Sequence, residues 1–263
     1  MGKTFFHRDI MSKALKKILD EQVKKYNSIE FIEKDPISIP HLFTLKQDIE
    51  IAGFFAATIA WGNRTSILNS CKKMMEAMDY APYDFLIHHE ENDLKRFMGI
   101  KHRTFNETDL FYFIHFLQGH YQQHHTLEVA FNLSKEKNMK ERLMAFHAYF
   151  FSIEHPHRTQ KHVSTPLKNS ACKRLNMYLR WMVRQDNNGV DFGLWKSIKP
   201  AELIMPMDVH VCNVAHHFGL IPENKSNWNM AQQLTDNLKK WDAKDPVKYD
   251  YALFSLGVNK LQL

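Results

Sequence analysis

Apolar residues recur every three to four positions through nearly all of this 263-residue chain, and no stretch alternates convincingly with a period of two. The first pattern belongs to helices that bury one face or all of it; the second, typical of half-buried strands, is missing. An all-α fold is predicted. The clearest helical segments are residues 6–26, 45–61, 65–78, 108–120, 139–151, 170–184, 209–218, 228–241 and 246–256. Residues 45–61 are nearly apolar after one turn and read as a core helix, with Gly62 as its C-cap. Asn106 or Thr108 is expected to cap the aromatic-rich segment that follows it, and Asp208 to cap the one after Pro206. Residues 35–40 hold two prolines and read as a linker. The chain is long enough for one globular unit of two helical lobes: about 45–155 in the first, and about 1–40 with 156–263 in the second.

Charge is distributed unevenly. Lys and Arg total 35 against 29 Asp and Glu, a net of +6. Between His155 and Gln185 there is no acid, yet Arg158, Lys161, Lys168, Lys173, Arg174, Arg180 and Arg184 all lie there. Outside that segment 28 basic residues face 29 acidic ones, so the net charge resides in one stretch. A one-signed stretch repels itself unless an anion or internal acids meet it. Phosphate backbones are the commonest such anion, which makes nucleic acid the expected partner.

Several function classes fall away. Cys71, Cys172 and Cys212 are few, far apart and form no CxxC, which argues against a disulfide framework or a Cys-only metal cluster and for a reducing compartment. The N-terminus lacks the apolar core of a signal peptide, and no apolar run approaches the roughly 20 residues of a membrane span. No Gly-rich nucleotide-binding loop is present. His210, His216 and His217 lack the spacing of a helical zinc site, and His120, His124 and His125 read as a polar loop. No metal or cofactor is expected.

The block VSTPLKNSACKRLNMYLRWMVR, ending at Arg184, and the block PMDVHV, starting at Pro206, carry a resemblance. A hairpin-like turn, a helix with Lys near its start, then an Asp opening another helix resembles the layout of helix-hairpin-helix DNA glycosylases. The interval from Lys173 to Asp208, 35 residues, is nearer the archaeal 8-oxoguanine type. The sequence also looks like an uncharacterised bacterial family sharing these blocks and DPVKYDYALFSLGV. The resemblance spans about residues 45–258 and implies two helical lobes with a helix-hairpin-helix element at the cleft. It implies a monomer acting on DNA in a bacterial cytosol or nucleoid, excising an oxidised purine with associated strand cleavage. One departure stands out: the turn Pro166–Ala171 holds no Gly, where relatives use Gly-rich backbone to bind phosphate.

The chemistry explains the residue types. Lys173 would be the amine that displaces a base at C1′ and holds the sugar as a Schiff base, once burial or nearby cations favour its neutral form. Asp208, at a helix N-terminus, would stabilise the cationic sugar. By motif position Arg180, Asp250 and Phe254 fall in the base pocket, Asp250 reading the base edge and Phe254 stacking on it, and Trp61 is a further candidate wall. Lys161, Lys168, Asn169, Ser170 and Arg174 are candidates for backbone contacts, with Arg158 and Arg184 as further contacts or solvated charge. Core packing is the alternative for Phe254 and Trp61, and a surface helix acid for Asp250. Two other functions are compatible with the sequence: a non-catalytic nucleic-acid-binding protein retaining the fold, and a helical interaction scaffold.

Overall fold

A computed structural model describes residues 2–136 and 138–259. The fold is all-α. The helices are α1 Gly2–Tyr26, α2 Ile29–Ile32, α3 Lys46–Thr58, α4 Arg64–Ala77, α5 Pro82–His88, α6 Glu107–Tyr121, α7 Met139–Phe150, α8 Lys173–Val183, α9 Val209–His217, α10 Trp228–Lys239 and α11 Asp250–Val258. Among the described residues the only strand-like pairing is the bridge between His102 and Phe105.

Local chemistry sets the boundaries. Asn63, Asn106, Asn138, Asp208 and Asn227 each accept a backbone N–H from three residues ahead, which starts α4, α6, α7, α9 and α10. Asn106 is therefore the cap of α6, and Thr108 lies inside the helix. Gly62 does not cap α3, which ends at Thr58. Its φ of 98° is one that side chains avoid, and a Cβ there would lie 2.7 Å from the Arg103 guanidinium. Gly62 lets two loops close on each other. Residues 246–256 do not form a single helix: Pro246–Tyr249 winds as a 3-10 turn and the α-helix begins at Asp250. The supposed linker at 35–40 holds two short 3-10 turns, Pro36–Ser38 and Pro40–Leu42, packed on α3. His120 is not in a polar loop. It is buried on α6 between the Tyr149 hydroxyl and the Thr126 carbonyl, each at 3.0 Å, and burial pulls its imidazole down to about 4.

Helix α3 organises the core. It crosses α8 at Gly53, where a Cβ would approach Met182 and Tyr178 at 3.1 and 3.2 Å. Phe54 packs against Phe113, Phe146, Phe150 and Tyr178. Glu50, fully buried on the same helix, accepts from the Tyr121 hydroxyl at 2.9 Å, the Thr126 hydroxyl at 2.5 Å, Leu127 N–H at 2.9 Å and the Trp195 indole at 2.6 Å. Burial raises this carboxyl and the four donors pull it back. Helix α11 packs on α9 and α1. One buried core runs through both groups of helices, and α8 links them: it packs on α3, and its Arg180 pairs with Asp250 of α11.

Candidate active site

The approach to α8 is tighter than a helix-hairpin-helix with two full α-helices. Two 3-10 turns, His157–His162 and Pro166–Lys168, precede it. The missing glycines have substitutes: Asn169 and Cys172 adopt left-handed backbone, with φ of 53° and 47°. Asn tolerates this region; Cys rarely occupies it. Cys172 is held there by burial, by its N–H donating to the Ser170 hydroxyl at 3.2 Å, and by the Asn176 amide bonding the neighbouring Ala171 carbonyl at 3.0 Å. Burial pushes its thiol up to about 11, so it stays un-ionised at neutral pH. No side chain caps α8, so the N–H groups of its first turn carry no side-chain cap, and Lys173 is its first residue.

A cavity of about 650 Å³ opens where the starts of α4, α8 and α9 meet α11. Lys173, Asp208, Arg180, Asp250, Phe254 and Trp61 all line it. Six residues from four separate parts of the sequence thus share one recess, of a volume usual for a small-ligand site. Asp208 caps α9 through Val211 N–H at 2.9 Å. Trp61 lies under the Arg174 guanidinium, 4.7 Å from the ring centroid, and His162 stacks on the same ring at 5.8 Å. Phe254 lies under the Arg64 guanidinium at 5.2 Å.

The floor is a buried ion network. Arg180, 4% exposed, pairs with Asp250 and, at 3.3 Å, with Asp191. Burial opposes the Arg180 charge, and Asp191, Asp250 and Asp35 overcome it, holding the guanidinium above its usual range. Asp191 also takes Arg184 at 3.0 Å and the Tyr251 hydroxyl at 2.8 Å. Burial pushes the Asp250 carboxyl up to about 6; Arg180 and Lys173 pull it down, while Asp208 and Asp191 push it further up. Arg180 holds the Oδ2 of Asp250, and no described residue donates to its Oδ1.

Some expectations change. Arg184 is neither solvated nor a backbone contact: it is 3% exposed and bound by Asp186, Asp191 and Asp245. Arg158 pairs with Asp109 at 2.8 Å and donates to the Thr104 carbonyl, so internal acids absorb part of the basic segment. Arg174 is turned inward: its guanidinium donates to the carbonyls of Thr58 and Lys161, and burial pulls it down to about 10. Lys161, Lys168 and Asn169 are exposed; Ser170 is half-buried, with its hydroxyl on Cys172 N–H. Sequence reasoning missed Asp35, Arg64, Tyr251 and His210 on the cavity wall, and Asp191 behind it. Asp35 is buried, with Oδ1 accepting from Ile37 N–H at 3.1 Å; burial raises its carboxyl against that bond and against Arg180, Arg64 and Lys173. An Asp before Pro36 reads as a turn former, and nothing local in the sequence signals that the turn faces a cavity.

Among the described residues no three His, Cys, Asp or Glu side chains group as metal ligands, and no helix is long and apolar enough to cross a membrane. No curated protein and no solved structure matches the chain. A family model matches residues 35–259, a span that contains every residue lining the cavity except Phe31. That match covers most of the sequence, and the chain belongs to the family described as Protein of unknown function (DUF2400).

Proposed function

We propose that the protein is a DNA glycosylase with β-lyase activity, acting on an oxidised purine. The observation that carries the reading is the meeting of Lys173 and Asp208 on one cavity whose other walls are aromatic rings and a buried Arg–Asp pair. A base turned out of a helix needs such walls to stack on and polar groups to read its edge. Asp250 accepts N–H donors of a guanine-type base through Oδ1, while Arg180 fixes the carboxylate's orientation.

In this reading the neutral Lys173 amine attacks C1′, the C1′–N bond breaks, and its electron pair leaves with the base. The Asp208 carboxylate offsets the positive charge that develops on the sugar. Opening of the sugar gives a Schiff base on Nζ; loss of a C2′ proton then expels the 3′-phosphate.

The test is borohydride trapping on a panel of duplexes, each with one damaged base. Wild type should form a covalent complex on an oxidised-purine duplex and not on the intact one. Lys173→Gln should trap less than a hundredth as much while keeping its folded circular dichroism spectrum. Trapping that persists in Lys173→Gln would remove the lysine from its role. DNA binding without any trapping would favour a non-catalytic binding protein with this fold.

A further inference from the structure

Two recesses without acids border the central cavity. One is lined by Lys161 and Lys168 with His147 and His157; the other, on the α4 side, by Lys73 and Lys101 with Asn63 and Ser66. All four lysines are exposed, and none makes an ion pair or side-chain hydrogen bond among the described residues. Asp and Glu are absent from both linings, whereas the central cavity holds Asp35, Asp208 and Asp250.

The recesses share walls with the cavity. Gly62 and Arg64 face the cavity while Asn63, Thr65 and Ser66 line the α4 recess, so the start of α4 divides the two. Arg174 likewise lines the cavity and donates to the carbonyl of Lys161, a residue of the first recess, at 3.3 Å. Trp61 of the cavity wall touches both neighbourhoods: its ring stacks on His162, next to Lys161, and its carbonyl bonds His102, next to Lys101.

We propose that the three recesses form one track for a DNA strand, in which Lys73 and Lys101 of the α4 side bind backbone phosphates in addition to those bound by Lys161 and Lys168. Phosphodiesters avoid carboxylates and are drawn to unpaired ammonium groups, so the backbone occupies the acid-free recesses while one nucleotide turns into the acid-lined cavity. The inference rests on nucleic acid as the substrate and adds a second arm that the charge-biased sequence segment does not contain. Lys73 and Lys101 lie where composition is close to neutral, and the fold brings them to the rim.

The test is the salt dependence of binding to a short duplex carrying one tetrahydrofuran abasic-site analogue, and to its intact counterpart. Removing one lysine that neutralises a phosphate lowers the slope of log K against log salt by about 0.9. Lys73→Ala/Lys101→Ala should lower it by between about one and two, as should Lys161→Ala/Lys168→Ala. Lys240→Ala/Lys244→Ala, which removes the same charge from an exposed site elsewhere, should leave it unchanged. An unchanged slope in the α4 pair, or an equal fall in the control pair, overturns the second arm. Equal affinity for both duplexes with no trapping would count against the glycosylase reading alone, because the slopes still report on the track. Absence of salt-dependent binding by wild type overturns both.

Discussion

Asp250 is a cavity acid whose proton changes hands near pH 6, and the sign of that shift is measurable. An aspartate in the unfolded chain ionises near 3.8 and Asp250 in the folded chain near 6, because burial outweighs the pull of Arg180 and Lys173. The folded state therefore holds the proton longer. Its contribution to stability is complete below about pH 3.8 and is lost as pH rises through about 6. Urea denaturation from pH 4 to 7 should show a decline in wild type relative to Asp250→Asn over this window, and parallel curves would contradict the assignment. The same titration bears on recognition. Only the ionised carboxylate accepts two donors from a base edge, so binding of a duplex with an oxidised purine should weaken as pH falls through about 6. Asp35 contributes to the same recess and is not legible in the sequence, because a buried carboxylate beside a proline reads as turn chemistry until the fold closes over it.

At the scale of elements, helix positions were legible wherever the pattern was strong and the cap was an Asn or Asp. The starts of α4, α6, α7, α9 and α10 lie at side-chain caps. The short α5, opened by Pro82 at its first position, is not legible because seven residues give too few turns for a period to register. The hairpin before α8 was legible as a turn but not as two 3-10 segments, since Asn169 and Cys172 take left-handed backbone that their residue types do not demand. Glu50 was hidden inside an apolar run, yet it ties α3 to α6, to the turn at 126–127 and to Trp195. Removing it strands three buried donors and the half-buried Thr126 hydroxyl, each buried donor costing about 1–3 kcal/mol when left unsatisfied. Glu50→Ala should therefore lose at least ~3 kcal/mol of unfolding free energy in urea titrations, and a loss below ~1 kcal/mol would show that the network does not bind these elements together.

Across the whole molecule the fold redistributes the charge that the sequence concentrates. Of the seven cations in residues 155–185, Arg158, Arg180 and Arg184 meet acids from distant positions, Arg174 turns inward over Trp61, Lys173 lines the cavity, and Lys161 and Lys168 remain exposed. Asp109, Asp245 and Asp250 are distant in sequence and come to the segment only through packing, which is why a count of charges along the chain overstated the free positive surface. The candidate chemistry was more legible than the electrostatics, because Lys173 and Asp208 each begin a helix and helix starts can be read locally. Their convergence on one cavity is a property of the fold. The proposed reaction requires Lys173 to form a covalent bond to the sugar of a damaged nucleotide. Peptide mapping by mass spectrometry of the borohydride-reduced complex tests it most directly. The sugar adduct should lie on Lys173; an adduct on Lys168, or no adduct on any oxidised-purine duplex, would contradict it.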